Sequence, residues 1–182
     1  MLEKTRLFSF ADAAAFERAS GVSRDQLRAN AAAITAATTV FLSHSSKDDP
    51  LVPGVLAFFA GFGAGVYADD FDASLPNPPS VHTAVSLKGK IQQLPRLVVL
   101  ATSNTYTSRW IPWELGLADG FRGIPPNAIL PITPEGEVPT WLTTEYVHLY
   151  PKILKLDGAW FVSDPQGIRP WPLAHWLHHR IP

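Results

Sequence analysis

"RLVVLATS", Arg96 to Ser103, holds five apolar residues in unbroken succession and then turns to small hydroxylated ones. A strand with one wet face alternates apolar and polar residues, whereas one that is apolar at every position is covered on both faces. Parallel strands acquire such cover from their crossover helices. Runs of the same kind recur at "TVFL" (Thr39–Leu42), "GVYADD", "AILPIT" and, less clearly, "VHLYPKILKL". The stretches between them have helical length or pattern. The expected fold is therefore a flavodoxin-like, doubly wound α/β domain.

A chain of 182 residues suits one domain. Apolar residues make up 46% and charged residues 17%, and 15 Lys and Arg stand against 16 Asp and Glu, so the totals indicate neither disorder nor a basic nucleic-acid surface. No nucleic-acid partner is expected. The absence of cysteine excludes disulfides, thiolate metal sites and cysteine nucleophiles. The N-terminal stretch carries charges where a secretory signal needs an apolar run, so a cytoplasmic location is expected. "LVPGVLAFFAGFGAGVYA", Leu51 to Ala68, is uncharged and nearly long enough to span a bilayer. Gly61, Gly63 and Gly65 fit a helix end, a turn and a new strand better, so no membrane association is expected.

Residues 1–38 read as an N-terminal helical extension ahead of a domain over 39–182 that ends in a helix. Asp12 is a candidate cap for "AAAFERAS", Gly21 ends that helix, and Ser23 with Gln26 forms a capping-box pattern before the next. In doubly wound sheets ligands bind at the carboxyl ends of the strands, where loops leave a crevice and helix N-termini aim their amides into it. The strand exits here are Ser43-His44-Ser45-Ser46, Asp69-Asp70, and Thr102-Ser103-Asn104 leading into "TSRWIPWELG". Pro112 is tolerated only in a helix's first turn, which places Glu114 near a helix N-terminus. Helical spacing puts Trp110 on the same side.

A carboxylate beside an aromatic plane suits cleavage of a ribosyl bond, because an anion stabilises the oxocarbenium-like ring and a flat cationic leaving group stacks on indole. From these residues alone the commoner reading is structural, with Trp110 and Trp113 as core anchors and Glu114 complementing the helix dipole.

Taken together, "TVFLSHSSKDD", "GVYADDFDASL" and "RLVVLATSNTYTSRWIPWELGLADG" resemble the Toll/interleukin-1 receptor (TIR) domain over about Thr39 to the 150s. The resemblance implies a five-stranded flavodoxin-like sheet. In many bacterial and plant members it also implies cleavage of the nicotinamide-ribose bond of NAD, giving ADP-ribose or a cyclised product. NAD is then substrate, and no cofactor is expected. It assigns catalysis to Glu114, pocket lining to Trp110, and nucleotide binding or site shaping to Ser43, His44, Ser45 and Asp69. It further implies self-assembly through TIR domains, a separate sensor or effector protein as partner, and a place in bacterial antiviral defence signalling. The other class of function open to the family is a non-catalytic TIR–TIR interaction module. Many members carry Leu-x-x-Gly in the loop after the second strand and complete their site with that loop from a neighbouring copy. Here "DASLPNPPSVHTAV" is proline-rich, and Pro76, Pro78 and Pro79 stiffen it.

Three further signals are set aside. "GFGAG" closes a helix rather than opening one, unlike a dinucleotide-binding loop. His175, His178 and His179 have metal-like spacing without an acidic ligand, and no metal is expected in the protein. Ser43 and His44 point to opposite faces of a strand, against serine-hydrolase chemistry. The C-terminal tail with Trp160, Trp171 and Trp176 reads as packing against the core.

Overall fold

The computed structural model describes residues 5–134, 145–163 and 170–181. Strands β1 (Thr5–Arg6) and β2 (Phe8–Ser9) lead into helices α1 (Phe10–Ser20) and α2 (Arg24–Ala31). Alternation follows through β3 (Thr38–Ser43), α3 (Val52–Gly61), β4 (Gly65–Tyr67), α4 (Val81–Gln93), β5 (Arg96–Ala101), α5 (Trp110–Arg122) and β6 (Asn127–Thr133). The chain continues with α6 (Glu145–His148), β7 (Lys152–Leu156), β8 (Ala159–Ser163), β9 (Trp171–Pro172) and α7 (Leu173–His178).

The sheet runs β4-β3-β5-β6-β7-β8-β9, and its first five members pair in parallel. That part has the flavodoxin order 2-1-3-4-5. Successive residues of β3, β5 and β6 divide between two cores. Val40, Leu42, Val98 and Leu100 face α1, α2, α3 and α7, while Phe41, Leu97, Val99 and Ala101 face α4 and α5. Every position is therefore apolar, as the unbroken runs require. The uncharged stretch Leu51–Ala68 becomes α3 and β4, both largely buried. Among the described residues no helix is long and apolar enough to cross a membrane.

Two features go beyond the five strands expected. The sheet extends at one edge because Asp157 and Gly158, with φ of 46° and 91°, turn β7 back into the antiparallel β8. Asp-Gly between two apolar runs is a strong hairpin signal, since both turn residues need positive φ. The second feature is at the N-terminus. The expected helices form, α1 with a capping box between Ser9 and Asp12 and a left-handed Gly21 at its end, and α2 capped by Ser23.

The residues ahead of them, however, belong to the sheet. β6 and β7 pair in register only at Ile129 and Lys152. Beyond that point β2 lies beside Ile132 and Thr133 and β1 beside Lys155 and Leu156, so the N-terminal strands occupy the split between β6 and β7. Phe8 is fully buried against Phe16, Phe58 and Trp160.

α1 also lies directly on α3. A Cβ at Gly54 would stand 2.2 Å from the Ala13 carbonyl oxygen, so only glycine permits this approach. At the other terminus Trp176 is buried and its indole N–H donates to the Pro125 carbonyl at 2.9 Å, which makes the tail part of the core. His178 bonds the Phe62 carbonyl. Phe8→Ala should cost about 3–5 kcal/mol, the usual loss for a buried aromatic side chain. Urea unfolding followed by circular dichroism would show it, and a loss under about 1 kcal/mol would mean that the N-terminal segment is peripheral.

Candidate active site

Three strand exits meet above the carboxyl end of the sheet. Ser43 ends β3 with its side chain on the α5 face. Its hydroxyl donates to Glu114 Oε2 at 2.5 Å. Helix α5 begins at Trp110, two residues earlier than Pro112, so Pro112 stays in the first turn and Glu114 falls in the second. The Ser108 hydroxyl accepts from the Trp110 and Ile111 amides, both at 3.3 Å, and so caps this turn. Ile111 and Leu115 carry the buried face of the helix. Of the two tryptophans, Trp110 is half-buried and packs against the core on the α4–α5 side, Trp113 is exposed, and their rings meet edge to face at 5.5 Å.

Glu114 is only 2% exposed, yet it lines a cleft of about 370 Å³ together with His44, Ser45, Asp69, Asp70 and Trp110. That volume lies within the ~300–1,000 Å³ of small-molecule sites. Burial, reinforced by the nearby Asp69 carboxylate, pushes the Glu114 carboxyl well above the ordinary glutamate range, and the Ser43 hydrogen bond and the charge of His44 only partly oppose this. Asp69 is raised as well, by burial and then by Asp70. The pair thus resists full ionisation at the cleft floor.

His44 behaves oppositely. Its side chain is fully buried, and burial disfavours the imidazolium, but Asp49 Oδ1 at 3.2 Å and Asp70 Oδ2 at 3.3 Å outweigh that and push it up to about 10. Nδ1 finds no hydrogen-bond partner among the described residues. Ser43 and His44 engage different partners on opposite faces of the strand, as their adjacency requires.

Of the six residues singled out in the sequence, five line the cleft and the sixth, Ser43, lies beneath it holding Glu114. The Ser45 hydroxyl accepts from the Lys47 amide at 3.4 Å and shapes the following turn.

Several contributors lie beyond the six residues singled out in the sequence. Buried Asp48 accepts from Thr102 Oγ1 at 2.8 Å and Asn104 Nδ2 at 2.6 Å, which ties the β3 exit to the β5 exit. Asp49 and Asp70 flank His44. The signal available was acidic residues grouped at strand exits, "KDD" and "DDFD", but which of them turns inward depends on the turns. Lys47 and Arg109 supply exposed positive charge at the cleft. The one group of described residues with metal-ligand chemistry within mutual reach is His44, Asp49 and Asp70.

No protein-family model matches the chain. Over 118 residues it is 32% identical to a protein of Bacillus cereus (strain MSX-D12) named "Probable 3' cyclic ADP-D-ribose synthase ThsB'", an alignment covering 64% of this chain and 60% of that protein. Over 79 residues it is 33% identical to a protein of Cytobacillus dafuensis named "Putative cyclic ADP-D-ribose synthase TIR2", covering 42% of this chain and 21% of that protein. The chain thus spans less than two thirds of the length of either relative.

The strained carboxylate predicts a pH signature. The folded pKa of Glu114 exceeds its unfolded value of about 4.3, so the stability it contributes in acid is lost as pH rises from that value through the folded one. Glu114→Gln removes this titration while keeping the shape. The variant should gain stability relative to the parent between about pH 4 and about pH 8, as read by urea unfolding at each. A gap that does not move with pH would show that the carboxylate is at ease in the fold.

Proposed function

We propose that this chain is a TIR-family enzyme that cleaves the nicotinamide-ribose bond of NAD and closes the ADP-ribose product into a ring. The observation that carries this reading is the Glu114 carboxylate, buried against Ser43 at the floor of an open cleft whose rim holds Trp110. Similarity to two bacterial relatives named as cyclic ADP-ribose synthases supports the substrate and the cyclic product. Family analogy supports a role in antiviral defence signalling, by production of a nucleotide read by a separate effector.

The chemistry follows from the arrangement. The substrate's pyridinium ring is cationic and flat; Trp110 offers it a π-face, and the carboxylates of the cleft favour its charge. Ser43 occupies Glu114 Oε2, which directs the other oxygen to the ribose hydroxyls. When the C1′–N bond breaks, its electron pair passes to the nicotinamide nitrogen, which leaves neutral, while positive charge develops on the ribose ring. A buried anion fixed beside the reacting carbon stabilises that charge more than water would.

The ring carbon is then captured by a nucleophile of the ADP-ribose itself, giving the cyclic product, or by water, giving the linear one. Where that nucleophile is a hydroxyl or water, its proton passes to Glu114. A carboxylate held above the usual range accepts such a proton more readily than an ordinary glutamate, because catalytic bases work best with a pKa near the operating pH.

Chromatography of nucleotides after incubation of concentrated protein with NAD tests this reading and separates linear from cyclic product. The parent should consume NAD, and Glu114→Gln should slow it by about a hundredfold or more, the scale of losing a positioned base or charge. Activity should rise with pH through a midpoint well above the ~4.3 of free glutamate, because the ionised form does the work. Equal rates for parent and variant would remove Glu114 from the mechanism.

A further inference from the structure

We propose that His44, Asp49 and Asp70 form a binding site for a first-row divalent cation such as Mn2+ or Zn2+ in the wall of the Glu114 cleft. His44 Nε2 lies 3.2 Å from Asp49 Oδ1 and 3.3 Å from Asp70 Oδ2, and all three ligand atoms fall within 4.8 Å of one another. Around a cation with ligand bonds of about 2.0–2.2 Å, neighbouring ligand atoms of a tetrahedron stand about 3.3–3.6 Å apart. The two distances to His44 match that spacing, and the carboxylates, within 4.8 Å of each other, would close around the ion.

The donor set fits the same class of ion. One imidazole nitrogen with two carboxylate oxygens suits Mn2+ or Zn2+ better than Ca2+, which takes oxygen ligands throughout. The imidazole is fully buried and held beside the Phe71 ring, whereas the Asp49 and Asp70 side chains are 39% and 34% exposed. Coordination positions on the solvent side are thus open to water or to a ligand oxygen. Without a cation, a single Nε2–H points well at only one of the two carboxylates at a time; a cation between them engages both.

The position gives the site a use, and this part rests on the function proposed above. Asp69 and Asp70 form the wall between the Glu114 cleft and an adjoining cavity of about 390 Å³ lined by Phe71, Leu75, Pro76 and Thr83. A dinucleotide spanning the two would carry its diphosphate past two carboxylates. A cation on His44, Asp49 and Asp70 turns that repulsion into attraction and offers its open positions to the phosphate oxygens.

The test needs no turnover. Protein stripped with EDTA is titrated with Mn2+, free Mn2+ being followed by electron paramagnetic resonance, and with Zn2+ by calorimetry. One saturable site per chain is expected, weakened at least tenfold in Asp49→Asn and in Asp70→Asn, with circular dichroism confirming that both variants are folded. Absence of saturable binding by the parent up to about 1 mM of either metal, or binding unchanged in both variants, overturns the proposal. Mn2+ should also tighten ADP-ribose binding to the parent at least fivefold but not to Asp70→Asn, and a metal-independent affinity would overturn the diphosphate role. Because metal binding is read without NAD, its failure leaves the Glu114 reading standing, and loss of NAD cleavage leaves the cation site standing.

Discussion

The structure turns on one buried carboxylate. Glu114 is surrounded by the sheet and by α5, accepting a hydrogen bond from Ser43, and the charged group nearest in effect is a second carboxylate, Asp69. A fold left to optimise stability places a neutral or paired group there, since an uncompensated buried charge is costly. The cost is tolerable only because β3 and α5 are fixed from both sides: Leu97 and Val99 beneath, Ile111 and Leu115 beside, and Asp48 linking the two strand exits through Thr102 and Asn104. Packing and hydrogen bonds are thus densest around the group whose burial is most costly, and strongly perturbed carboxylates of this kind cluster at functional sites.

Charge in the cleft is separated rather than averaged. His44 takes its two aspartates on one side of β3 while Glu114 takes only a hydroxyl on the other. Had His44 faced Glu114 directly, an ion pair would have lowered the glutamate and left an ordinary salt bridge. Strand alternation prevents this, because neighbouring residues 43 and 44 cannot share a face. The doublet that looked like the parts of a serine hydrolase instead keeps an imidazolium away from a carboxylate.

How much of this was legible varies with the physics. Unbroken apolar runs announced a parallel sheet covered on both faces, and the strand exits announced the rim, because both follow from local pattern and topology. Five of the six singled-out residues do line the cleft. The Asp157-Gly158 turn is equally local, and it pairs the strand in "VHLYPKILKL" with a partner beyond the five strands expected. The N-terminal strands were not legible in the same way. Residues 5–9 are too short to show a period, and their place in the sheet is set by a gap between β6 and β7 that exists only in three dimensions. The inward turn of Asp49 and Asp70 toward His44 belongs to this second kind. It depends on where a turn points a side chain and not on which residue types are present.

The loop after β4 shows how a departure in sequence becomes a constraint. Its prolines stand where many TIR domains carry Leu-x-x-Gly, but the loop is far from loose. Asp72 accepts from the Tyr67 hydroxyl at 2.8 Å, from Lys90 Nζ and from the backbone and hydroxyl of Ser74, which holds its carboxyl well below the ordinary aspartate range. One aspartate therefore anchors the loop to β4 beneath and to α4 behind. The cavity between Asp69 and Thr83 is in consequence walled by this chain's own residues, next to the Glu114 cleft and sharing a wall with it. A neighbouring copy would meet a surface already formed, because both cavities are walled by this chain and share Asp69 and Asp70.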